Sequence, residues 1–307
     1  MSPIQAQVFS GHESFPLRFA WLTKAVRCGD VFNDADAMVT LGVGKNMVRS
    51  IRWWAVNTGM LCCGDNTASG VRLEPSELGT TLFGKDGVDS FMEDPATIWL
   101  VHWALATNTK LATWFWMFNK FRETEFERGQ LVDQLTQFSR EASGRQIASD
   151  TIGRDVDCFI RTYVPTSPDK RLSREETLDC PLTELGLIRR NGNPHGFSFV
   201  RGRRESLCDE VFAYCLLEFW NQRAAKSESL GFDDAAYGAG SPGQVFKLTE
   251  NALVDRLHGL GNLTGNKIRY DDTAGLKQIF RTGRVSSQSL LSRHYGHASK
   301  GGTDASD

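Results

Sequence analysis

The chain has 307 residues, 40% of them hydrophobic and 10% aromatic, enough for roughly two or three ordinary domains and too apolar for wholesale disorder. Its 35 Lys and Arg against 37 Asp and Glu leave a formal charge of −2; this excludes a polycationic nucleic-acid coat but not a local basic surface. No run of about 18 apolar residues occurs, so no membrane partner is expected. Met1-Ser2-Pro3-Ile4-Gln5 lacks the basic start and apolar core of a signal peptide.

In chain order, the first expected domain spans 8–85. Asp34-Ala35-Asp36 precedes a short apolar helix, Ala37–Leu41, which Gly42-Val43-Gly44 breaks. A second helix, Met47–Val56, carries Met47, Val48, Ile51, Trp54 and Ala55 at helical spacing, with Lys45, Arg49, Arg52 and Trp53 largely opposite. Two short strands follow around the polar turn Gly64-Asp65-Asn66, and Leu78–Phe83 closes the unit as a helix. Helix, glycine turn, basic helix and hairpin together predict a winged helix-turn-helix.

Residues 86–128 are expected to form a central aromatic-rich helical segment that opens at Glu93-Asp94-Pro95. Core packing explains its Trp and Phe density better than base stacking does. A second winged-helix-like module is placed at 129–204. It has a helix through Leu131–Phe138, a polar connection from Ser139 to Ser149, a helix over Thr151–Tyr163, a polar insertion at Pro165–Asp179, and a hairpin turning at Asn191-Gly192-Asn193. Arg189, Arg190, Arg201, Arg203 and Arg204 crowd that hairpin and its exit. A helical C-terminal region at 205–296 and a disordered Gly/Ser/Asp-rich tail at 297–307 complete the expectation. The fold class is therefore α+β, mainly α-helical, with no repeat of fixed period, although the two winged units could be distant copies.

Candidate chemistry is sparse. Gly42-Val43-Gly44-Lys45-Asn46 lacks the spacing of a phosphate loop and follows a helix, so it is better taken as the turn that presents a recognition helix. Lys45, Asn46, Arg49 and Arg52 then carry groups suited to phosphates and base edges. The stretch Phe9-Ser10-Gly11-His12-Glu13-Ser14-Phe15-Pro16-Leu17-Arg18 sets an imidazole, a carboxylate and a guanidinium close together. It could hold a scissile phosphate or activate water, or Glu13 and Arg18 could simply pair while backbone satisfies His12.

Asp155 and Asp157 point about 200° apart on a helix and are expected to serve separate salt bridges and caps rather than chelate one ion. His102, on an apolar helix, is expected in the core. Cys62 and Cys63 face opposite ways along a strand and make a poor metal pair. The 7 cysteines form no C-x-x-C pair, which points away from structural zinc and toward a reducing cytoplasm with most thiols buried. No G-x-S-x-G or H-E-x-x-H motif marks a catalytic centre.

The segments Phe9–Arg18 (FSGHESFPLR), Leu41–Trp54 (LGVGKNMVRSIRWW), Glu93–Trp103 (EDPATIWLVHW), Thr113–Phe121 (TWFWMFNKF), Arg154–Tyr163 (RDVDCFIRTY) and Cys180–Ile188 (CPLTELGLI) resemble a bacterial family of unknown-function domains, DUF4007. That family includes the SspB-type DNA nickase of Ssp phosphorothioation systems. The resemblance, from about Phe9 to Tyr295, implies an antiphage DNA-modification role: binding double-stranded DNA and opening one strand for sulfur insertion. Its partners would be a cysteine desulfurase and ATP-dependent sulfur-transfer proteins; a homodimer is a separate expectation. A nickase of this kind would use Mg2+ or Mn2+. The resemblance brings no catalytic set, so the residues themselves suggest it: Glu13 for metal or water, His12 as acid or base, and Arg18 against the developing phosphorane charge. In the alternative reading the chain is a non-catalytic DNA-binding adaptor or regulator that recruits the sulfur-transfer machinery.

Overall fold

The computed structural model describes residues 8–67, 70–143, 147–166, 180–193 and 195–301. The chain divides into two compact units, Met1–Val200 and Arg201–Asp307.

In the first unit, α1 (Phe19–Arg27) buries Trp21, Leu22, Ala25 and Val26, the stripe that helical spacing dictates. A short α2 (Ala37–Leu41) stops at Gly42, whose left-handed φ of 64° terminates it. The following α3 (Lys45–Asn57) buries Val48, Ile51, Trp54 and Ala55 as expected, while Lys45, Asn46 and Arg49 remain exposed. β1 (Leu61–Thr67) and β2 (Gly70–Pro75) form an antiparallel hairpin. The turn expected at Gly64-Asp65-Asn66 is instead strand, with the register slip between Cys63 and Asn66 absorbed inside β1. Ser76 caps α4 (Glu77–Phe83) through the amide of Gly79.

Asp94 caps α5 (Pro95–Thr107), and its Pro95 occupies the first turn as the sequence suggested. With α6 (Ala112–Asn119) it forms a thoroughly buried aromatic pair. His102 is fully buried, its Nδ1 2.9 Å from the Tyr163 hydroxyl, in the core role expected of it. Next come β3 (Glu125–Glu127), α7 (Arg128–Ser143), α8 (Ser149–Tyr163), a 3-10 turn at Pro181–Leu185, β4 (Ile188–Arg190) and β5 (Gly196–Phe199). The polar connection expected from Ser139 is helix as far as Ser143. Residues 144–146, and 167–179 of the expected polar insertion, lie outside the described residues. The sheet order is β3-β5-β4, so the boundary expected between 128 and 129 falls inside one small sheet and its helices.

The second unit holds α9 (Asp209–Ala224), β6 (Ser229–Gly231), α10 (Phe232–Tyr237), α11 (Pro242–Val245), α12 (Glu250–Thr264), β7 (Ile268–Asp271), β8 (Gln278–Arg281) and α13 (Ser287–Gly301). Its sheet runs β6-β8-β7. A strand, helices and a hairpin whose last strand lies central thus occur at 125–199 and again at 229–281, a repetition of topology that the sequence did not disclose. α13 continues to Gly301, into the stretch expected to be a disordered tail, and residues 302–307 lie outside the described ones. Arg201, Arg203 and Arg204 belong to this second unit rather than to the β4–β5 hairpin's unit. Among the described residues no helix is long and apolar enough to cross a membrane.

Candidate functional site

The loop between Val8 and α1 carries three residues of positive φ. Gly11, Glu13 and Ser14 have φ of 109°, 49° and 61°. Two adjacent non-glycine residues in the left-handed region persist only where surroundings over-determine them. Gly11 is required twice over: besides its φ, a Cβ there would lie 2.4 Å from Cδ1 of Trp53.

What holds the loop comes from three helices. His12 is 2% exposed. The Ser14 amide donates to His12 Nδ1 at 3.0 Å, so the ring proton sits on Nε2 and is donated to Asp155 Oδ1 of α8 at 2.8 Å. The other Asp155 oxygen accepts from the Thr113 hydroxyl of α6. Trp53 of α3 meets the imidazole edge-on at a centroid distance of 5.2 Å. Trp54 Nε1 donates to the Phe15 carbonyl at 3.0 Å, and Arg161 Nη2 of α8 to the Ser14 carbonyl at 2.6 Å. Cys158 also donates to the Phe15 carbonyl, at 3.4 Å, and burial pushes its thiol well above the usual range.

This geometry corrects the expected constellation. Both His12 nitrogens are occupied and the ring is buried, so it is placed to anchor the loop rather than to pass protons to a substrate. Glu13 does not pair with Arg18; its Oε1 lies 3.7 Å from Arg49 Nη1 of α3. The Arg18 guanidinium instead lies 5.5 Å over the Trp21 ring. Asp155 and Asp157 serve separate partners, as helical geometry required: Asp157 accepts from Nε and Nη2 of Arg128 at 2.6 and 2.7 Å, which raises the Arg128 pKa.

Around this loop lies a cleft of about 480 Å3 bordered by Ser10, Glu13, Ser14, Thr151 and Arg154. Lys45, Arg49 and Arg52, at steps of four and three, share one face of α3; Arg49 touches Glu13 at the rim, and Arg52 is half-buried. Across the loop, Arg161 also lines a second cleft of about 370 Å3 with Arg128, Arg190 and His195. There Arg190 lies 5.4 Å over the Phe197 ring, and Arg189 is exposed beside it on β4. Sequence reasoning weighed only the carboxylates of α8 and missed Arg154 and Arg161. Their seven-residue spacing, two helical turns, was the available signal.

The arginines of the second unit are differently employed. Arg203 pairs with Asp255 at 2.8 Å. Arg204 Nε donates to the Phe246 carbonyl at 2.9 Å, and desolvation lowers its pKa to about 10. Arg201 donates to the Leu248 carbonyl at 3.3 Å. They tie 201–204 to 246–255 instead of presenting a row of uncommitted cations.

Comparison with known proteins places this geometry in context. The family described as a protein of unknown function, DUF4007, matches residues 9–295. No curated relative matches. The chain is similar to two crystal structures of SspB, one with bound magnesium ion. The magnesium-bound structure is 26% identical with a TM-score of 0.85, over 96% of this chain and 90% of that one. The other is 27% identical with a TM-score of 0.85, over 96% and 91%.

Proposed function

The chain belongs to the DUF4007 family, and from that premise we propose that it is a DNA-binding, DNA-nicking component of an Ssp-type phosphorothioation system. In this reading α2, the Gly42 turn, α3 and the β1–β2 hairpin act as a winged helix, with α3 as the helix laid against the duplex. The segment built on α7, α8 and the β4–β5 hairpin acts as a second module of the same kind.

The observation that carries the reading is the basic face of Lys45, Arg49 and Arg52. It adjoins a strained loop whose other side carries Arg154 and Arg161, in a chain of net charge −2. Glu13 is the carboxylate at that loop, and it would orient or deprotonate the attacking water. Arg49 and Arg154 would neutralise charge as the phosphorane forms. His12 keeps Glu13 in place through Asp155. Arg18, turned onto Trp21, has no step in this scheme.

Mg2+ or Mn2+ would meet one open carboxylate here, Glu13, already facing a guanidinium, because both Asp155 oxygens have partners. Hard cations prefer near-octahedral oxygen donors. This donor set by itself does not make a resident site for either ion, so the steps above rest on the chain's own side chains. The cysteine desulfurase and ATP-dependent sulfur-transfer proteins are the proposed partners.

A second reading, a non-catalytic DNA-binding adaptor, is favoured by one observation: His12 and Asp155 are spent on each other. Supercoiled plasmid separates the two. Purified protein, assayed with Mg2+, with Mn2+ and with chelator, should convert plasmid to open circle in at least one of these conditions, and Glu13→Gln should abolish conversion while keeping duplex affinity. Equal nicking by Glu13→Gln rejects the assignment of Glu13. Tight binding without nicking under any condition establishes the adaptor. If Arg49→Ala with Arg52→Ala leaves duplex affinity unchanged, α3 is not the docking helix; if it is, each lost phosphate contact should reduce the slope of log K against log salt by about 0.9.

A further inference from the structure

In the second unit, three side chains with metal-binding chemistry converge where α9 begins. Cys208 is the residue just before α9 and Glu210 lies in its first turn. His294 comes from α13, whose Leu290, Leu291 and Tyr295 are buried. That spacing puts His294 on the buried face of α13, one turn from Leu290 and Leu291. One ligand atom from each of Cys208, Glu210 and His294 falls within 4.8 Å of the other two, and all three residues are half-buried.

We propose that Cys208, Glu210 and His294 form a binding site for a borderline-soft divalent cation of the Zn2+ class, with water completing a four-coordinate shell. Thiolate, imidazole and carboxylate are the donor types of such sites. A thiolate disfavours Mg2+ and Ca2+, which take oxygen. Metal–ligand bonds of about 2.0–2.3 Å place tetrahedral donors roughly 3.3–3.6 Å apart, within reach of small side-chain rotations from the geometry present.

On binding, the Cys208 thiol releases its proton to solvent and the sulfur lone pair goes to the metal; thiolate and carboxylate then balance the 2+ charge. Arg293 Nε, 3.9 Å from Glu210 Oε1, gives up that contact to the cation. Cys208 also borders a cleft of about 410 Å3 with Glu205, Asp209 and Arg256, so one of the three ligand residues is reached from solvent. The site would brace α13 against α9. It stands independently of the nicking proposal, and the absence of a C-x-x-C pair pointed the sequence reading away from it.

The test is a Co2+ titration of the full-length, reduced, metal-stripped protein. One equivalent should bind with tetrahedral visible bands and a near-ultraviolet thiolate charge-transfer band, and Zn2+ should displace it. Cys208→Ser should lose the charge-transfer band, and His294→Ala and Glu210→Gln should weaken binding at least about tenfold, a typical lower bound for losing a ligand or its support. Cys62→Ser and Cys63→Ser, altering the exposed thiols, should change nothing. Far-ultraviolet circular dichroism checks that each variant is folded. Should a ligand variant fail to fold, the Zn2+-induced rise in wild-type Tm, blocked by alkylating Cys208, replaces it as the readout. The proposal is overturned by no thiolate band, by a band surviving in Cys208→Ser, or by one lost in Cys62→Ser or Cys63→Ser.

Discussion

Asp155 is the residue on which the loop's geometry depends, and truncating it gives a sharp expectation. Asp155 is 1% exposed and accepts from His12 and Thr113, both of them buried as well. Asp155→Ala leaves two buried donors without an acceptor. At about 1–3 kcal/mol for each unsatisfied group, the loss should be about 2–6 kcal/mol. Asp155→Asn keeps one acceptor oxygen but turns an amide NH2 toward a donor, so about 2–3 kcal/mol is expected. Thr113→Val leaves one oxygen of buried Asp155 without its donor and should cost about 1–3 kcal/mol. Combining Thr113→Val with Asp155→Ala should cost less than the sum, since one orphaned donor is gone.

Urea unfolding followed by tryptophan fluorescence reads this directly, because all tryptophans except Trp220 precede residue 200. With a slope of about 2 kcal/mol per M, a 4 kcal/mol loss lowers the midpoint by about 2 M. If the proposed function holds, then at a temperature where Asp155→Ala stays folded, duplex binding should persist while nicking falls with the displaced Glu13. A midpoint within about 0.3 M of wild type, or Asn and Ala behaving alike, would refute the role assigned to Asp155.

Further expectations are independent of that one. Gly11→Ala puts a Cβ 2.4 Å from Trp53 and keeps a φ of 109°; it should destabilise the first unit by about 1–3 kcal/mol, visible as a lower urea midpoint. Thiol titration in the native state should find Cys62 and Cys63 fast, since both are exposed, and Cys158 and Cys215 slow, since both are buried with thiol pKa values raised by desolvation. The Tyr237 phenol, donating to the Glu250 carboxylate, is pushed up from 10.0 to about 12. The folded value lies above the unfolded one, so the stability this pair contributes is whole below about pH 10 and is lost as pH rises toward about 12. The urea midpoints of wild type and Tyr237→Phe should therefore converge across that window, and a constant difference would sever the link to ionisation.

Much of the local architecture was legible from residues near one another in the chain. The stripe of Val48, Ile51, Trp54 and Ala55 fixed the buried face of α3, and Asp94-Pro95 marked the start of α5. Gly42 marked the end of α2, and the opposed directions of Asp155 and Asp157 followed from helical geometry alone. These features depend on periodicity and backbone stereochemistry, which a short window of sequence already contains.

The pairings were not legible there. His12 meets Asp155 across 143 positions, Arg49 rather than Arg18 faces Glu13, Arg203 is claimed by Asp255, and Cys208 and Glu210 come within ligand distance of His294 only where α9 and α13 converge. A charged or hydrogen-bonding side chain can satisfy itself with many partners, and helix packing selects one by bringing it close and removing the water that would have served instead. The sequence by itself determined which faces were apolar and which were basic; folding in three dimensions decided which cations and carboxylates remain available to a ligand.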